Sequence, residues 1–139
     1  MKLRTTPLII VLTHLAILLW HGAAHSHLAI GTNFWQTVFI VLVIFAGPVL
    51  ALVLFWTRLQ QAGTALMGVA MAGSLVFGVV YHFIIAGPDN VNSMNSAGWG
   101  GMFRTTAVLL AVVEAFACGW SMWVLKRNAG QRVGLERMK

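Results

Sequence analysis

Long apolar stretches, broken by short polar punctuation, set the pattern of this chain. Four runs, at about residues 7–30, 34–57, 63–86 and 103–125, are each long enough to cross a bilayer as a helix. Pro7 suits the first turn of a helix, where its missing N–H costs nothing. Gly31-Thr32-Asn33 reads as a tight connection, with Asn33 as N-cap of the second run. Gly47-Pro48 falls in the middle of that run and should kink it. The third run stops at Gly87-Pro88-Asp89-Asn90, and the fourth ends at Lys126-Arg127. Residues 87–102, rich in glycine and asparagine, form the only long loop. A basic tail, 126–139, is expected on the membrane surface or disordered. The pattern predicts an all-α integral membrane protein: one transmembrane domain, 1–139, built as a four-helix antiparallel up-down-up-down bundle.

Composition strengthens this reading. Of 139 residues, 59% are hydrophobic and 9% charged, where a soluble domain has about a quarter charged. The net charge of +6 could suggest nucleic acid. Its placement argues against that, because the charges flank apolar runs instead of forming a solvated patch. Lys2, Arg4, Arg58, Lys126, Arg127, Arg132, Arg137 and Lys139 fall on one side of the membrane under this topology, and Arg104 alone falls on the other. Lysine and arginine concentrate on the cytoplasmic side. Both termini are therefore expected inside a bacterial-type cytoplasmic membrane, with residues 87–102 outside. The start has the form of a secretory signal: Lys2 and Arg4, an apolar stretch, then Gly22-Ala23-Ala24. Apolar character continues through His27-Leu28-Ala29-Ile30, so a retained first helix is expected.

The single cysteine, Cys118, excludes an intrachain disulfide and a CxxC site. No GxGxxG, P-loop or HExxH motif is present. The chemistry rests instead on a few polar residues inside apolar runs, where each is costly and a candidate functional group. His14, His21 and His25 are spaced seven and four apart, which puts them on one helical stripe within roughly 40° of arc. His21 and His25, at i and i+4, can offer two imidazoles to one ion. His27 points the other way and reads as a solvated residue. His82, on the third run, lies at the same depth as His25, about 10 Å outward of the centre. Gly78, one turn before it, leaves room for a flat ligand or for close packing. Glu114 sits near the centre of the fourth run, on a stripe of small or polar residues that includes Cys118 and Ser121. Its depth makes His14 or His21 its expected partner. The second run carries no titratable group and reads as a wall.

Two layers follow. The outer one holds His25 and His82, with His21 in reach and Asp89, Met94 and Met102 as possible cover. The inner one holds Glu114 with His14 or His21. Three functions fit. The first is a metal-binding membrane protein with His21, His25, His82 and Glu114 as ligands and His14 and Cys118 behind them. Iron, copper and zinc all suit such a set. The second is an electron carrier with haem b between His25 and His82, beside Gly78, or a quinone-linked subunit. Trp20, Trp99 and Tyr81 would pack near the haem. Histidines on facing helices resemble the scheme of membrane cytochromes b, a likeness of architecture. The third is a cofactor-free accessory or assembly subunit. The bilayer is the expected surrounding, with a membrane-protein partner or a second copy of the chain.

Overall fold

A computed structural model describes residues 5–136, with side chains as far as residue 131. Among these residues the chain is all helical. Four segments are long and apolar enough to cross a membrane: residues Thr6–His27, Phe34–Phe55, Gln60–Ile84 and Gly98–Gln131. The helices are α1 (Thr6–His27), α2 (Phe34–Phe39), α3 (Gly47–Phe55), α4 (Gln60–Val79) and α5 (Gly98–Glu136). A π-helical stretch, Ile40–Ala46, joins α2 to α3, and another, Val80–Ile84, extends α4.

Local sequence explains most boundaries. Pro7 lies in the first turn of α1. Asn33 opens α2 with a capping box: its side chain accepts from the Gln36 N–H, and its own N–H donates to Gln36 Oε1. The kink expected at Gly47-Pro48 takes the form of the π-helical stretch that ends just before it. Pro48 has no N–H to offer the preceding turn, and a widened turn absorbs the mismatch. Helix α1 stops by a Schellman motif built without glycine. The Ala29 N–H donates to the Ser26 carbonyl, the Ile30 N–H donates to the His25 carbonyl, and Ala29 sits at φ 54°.

The fourth span departs most from the boundaries read in sequence. Helix α5 begins at Gly98, inside the expected loop, and runs past Lys126-Arg127 to Glu136. The basic segment contains no proline, and its two glycines weaken a helix by only about 1 kcal/mol each. Leaving the membrane therefore does not end the helix. Lys2, Arg4, Arg137 and Lys139, and the side chain of Arg132, lie outside the described residues.

Helix α5 packs against α1 and α4, and α4 against α3. One core cluster joins Ile10, Val11, Ala51, Met67, Met71 and Ala117. The other, at the end where α1 finishes, joins Ala24, Val91, Phe103 and Ala107. Large apolar side chains such as Leu12, Leu19, Val41, Val69 and Val112 face outward, which suits a lipid surrounding. Helix α1 meets the second span mainly at α3. Beside the π-helical stretch the two stand apart, and the cavity described next lies there.

Candidate metal centre

Helix α1 turns His14 and His21 fully inward, and His25 is half-buried. The π-helical end of the third span buries His82. The loop that follows is compact. Asn90 accepts from the Asn92 N–H and donates to the Ile85 carbonyl, while Ser93 donates to the Gly87 carbonyl. This fold carries Asp89 over the histidines.

His21, His25 and His82 converge: one ring nitrogen from each lies within 4.8 Å of the others. Hydrogen bonds set which nitrogen is free. The Thr106 hydroxyl lies 2.8 Å from the Met102 carbonyl and is hydrogen-bonded to His21 Nδ1 at 2.9 Å. His82 Nδ1 donates to the Asp89 carbonyl at 3.0 Å. His25 Nδ1 donates more weakly, at 3.4 Å, to the Ile30 carbonyl that the Schellman turn positions. His25 and His82 thus hold their protons on Nδ1, as the network assigns them. The Nε2 atoms of His21 and His82 meet at 3.2 Å, where a proton on His21 Nε2 donates to the His82 lone pair. Phe103, fully buried, packs on all three rings with centroids 4.7, 5.0 and 5.2 Å away. Asp89 Oδ1 lies 3.5 Å from His25 Nε2 and has no hydrogen-bond partner.

Glu114 stands apart from this trio. Its Oε1 accepts from Ser74 Oγ and from His14 Nε2, the latter at 3.1 Å. Of the two partners its stripe offered, His14 is the one it meets, and His21 goes to Thr106. His14 Nδ1 is buried without a partner. Cys118, also outside the trio, directs its thiol to the Gly68 carbonyl at 3.7 Å. Gly78 lies beside His82, where an added Cβ would come within 3.9 Å of the ring. Met94 and Met102 pack around Phe103 and Val91. His27 stacks on Trp99 at 3.9 Å, Tyr81 packs on Phe77, and Trp20 is exposed.

A cavity of about 470 Å³ joins the two groups. His21, His25, His82 and Asp89 line one part of it, and Ser74 and Glu114 another. Its walls are apolar, from Ile40, Val41, Ile44, Phe45, Phe77 and Leu110. Val41 and Phe45 are also exposed on the outside of the bundle, so that wall is one side chain thick.

Thr106, Ser74 and Phe103 were not singled out in the sequence. A polar residue within the fourth run was the only signal for Thr106, and the same holds for Ser74 in the third. Compared with protein-family models, with curated proteins and with solved structures, the chain finds no match.

Proposed function

We propose that this chain is an integral membrane protein that holds one transition-metal ion between the Nε2 atoms of His21, His25 and His82. The observation that carries the reading is the convergence of one ring nitrogen from each of the three histidines within 4.8 Å of one another, with the Nδ1 of each ring meeting an oxygen partner. Metal-bound histidine characteristically donates its other N–H in this way. A tetrahedral ion with bonds of about 2.0–2.1 Å separates two ligand nitrogens by about 3.3 Å. The His21 and His82 Nε2 atoms stand 3.2 Å apart.

The same distances support an ion over haem b. A porphyrin needs a flat slot between its two axial rings. The His25 and His82 ring centroids are 5.8 Å apart, the ring of His21 lies beside them at 4.9 Å from each, and Phe103 packs on all three. Asp89 and the cavity adjoin the trio and offer a further ligand or an open position. An open position suits metal handling or redox at this end of the bundle. The contacts of His21 with Thr106 and of His14 with Glu114 support an antiparallel up-down bundle, and the placement of the basic residues supports residues 87–102 on the outer side of the membrane.

The test is metal content. Full-length protein purified in detergent and loaded with zinc, copper or iron should retain about one ion per chain. His21→Ala and His82→Ala should retain almost none while keeping their helical content. Equal retention in these variants would end the reading, and a Soret band in the purified protein would turn it to haem.

A further inference from the structure

The chain has three acidic residues, and two of them, Asp89 and Glu114, line the cavity that also holds the histidine trio. No lysine or arginine lines it among the described residues. A cation held there inside an apolar bundle therefore finds two carboxyl side chains and no lysine or arginine beside it. Resting on the proposed metal site, we infer that the cavity is charge-matched to a divalent cation, with Glu114 as a remote counter-charge that selects by valence and not as a ligand.

The surroundings of Glu114 fit this role. Both of its hydrogen bonds fall on Oε1, from Ser74 and His14. Its side chain lines the cavity. His14 meets Oε1 through Nε2, its Nδ1 is buried without a partner, and its ring is not among the residues that line the cavity. Glu114 lies eight residues along α5 from Thr106, the hydrogen-bond partner of His21. That is about 12 Å of helical rise, too far for ligation of an ion in the trio. Charge still acts over that distance. At about 12 Å and an effective dielectric constant of about 20, one carboxylate strengthens binding of a singly charged ion roughly tenfold. For a doubly charged ion the factor is squared, on the order of a hundredfold.

The experiment compares two ions on the full-length protein in detergent. Zn²⁺ is the divalent probe, and Ag⁺ is a monovalent ion that imidazole also binds. Glu114→Gln should weaken Zn²⁺ on the order of a hundredfold and Ag⁺ about tenfold, so the Zn²⁺/Ag⁺ affinity ratio falls about tenfold. Glu114→Asp keeps the charge and should keep the ratio. Ala111→Lys leaves Glu114 in place but sets an ammonium on the cavity wall about one turn away, and should lower the ratio by a similar factor. It carries the test if the glutamine variant does not fold. A wild-type ratio in a folded Glu114→Gln or Ala111→Lys variant overturns the inference while the trio stands. Undiminished binding of both ions in His82→Ala overturns the metal site itself.

Discussion

At the scale of single residues, the proposed centre depends as much on the oxygen partners behind the imidazoles as on the imidazoles. Thr106 holds His21 through the hydrogen bond at Nδ1. Thr106→Val keeps the shape and removes that hydrogen bond, freeing the ring to flip or change tautomer. Metal affinity should fall between about tenfold and a hundredfold, while Thr106→Ser should bind nearly as the native protein does. Competition against a chelator of known affinity reads both, and a valine variant with native affinity would show that His21 is held by packing alone. The histidines were legible in sequence because ionisable groups inside apolar runs are rare, and a stripe of three at helical spacing stands out. Thr106 was not legible. A threonine in a membrane helix ordinarily bonds back to a carbonyl of the preceding turn, and Thr106 does so with Met102. Its second use, as hydrogen-bond partner of a ring on another helix, leaves no mark in the sequence. Glu114 stood out for its cost in the bilayer, but the stripe offered His14 and His21 equally, and packing decides between them.

At the scale of elements, the turns that place the ligands are unusual in sequence. Ala29 sits in the left-handed region, where an L residue costs about 1–2 kcal/mol and glycine does not. Ala29→Gly should therefore raise the thermal midpoint in detergent, by the equivalent of about 1 kcal/mol, without altering metal content. A lowered midpoint would mean that the turn after α1 differs from a Schellman motif. The opposite case is Gly63, near the start of α4. A Cβ there would fall 2.5 Å from the Phe55 backbone nitrogen and 2.7 Å from the Ala51 carbonyl oxygen. Backbone cannot yield as a side chain can, so Gly63→Ala should destabilise by more than about 2 kcal/mol. A thermal midpoint within error of the native value would contradict this packing of α4 on α3. The four runs and the Asn33 cap were readable from hydrophobic length and cap chemistry. The two π-helical stretches were not. The period of a hydrophobic pattern cannot separate a widened turn from an ordinary one in runs that are apolar on every side. Yet the one ending at Ile84 carries His82.

At the scale of the whole molecule, the distribution of charge gives the bundle a direction. Arg58 lies in the connection between the second and third spans, and Lys126 and Arg127 lie in the outgoing part of α5. Arg127 rests over the ring of Trp123, 5.5 Å from its centroid, a pairing suited to the headgroup region, where both kinds of side chain concentrate. The opposite end carries the 28–33 and 85–97 connections and has no lysine or arginine in either. Only Arg104, in the early part of α5, falls toward it. In the proposed orientation, retention of basic residues on the cytoplasmic side during insertion puts Arg58 and the exit of α5 inside, and the histidine trio within reach of the outer surface. A reporter active only in the periplasm should be silent when fused after Lys139 and active when inserted at Ser93, in the connection that carries Asp89. A cytoplasm-only reporter should show the reverse. Activity of the periplasmic reporter at Lys139 would invert the molecule. The trio would then face the cytoplasm and draw on its strongly buffered metal pool. In the proposed orientation the trio meets ions from outside the cell, and Asp89 is the first carboxylate of the cavity they would encounter.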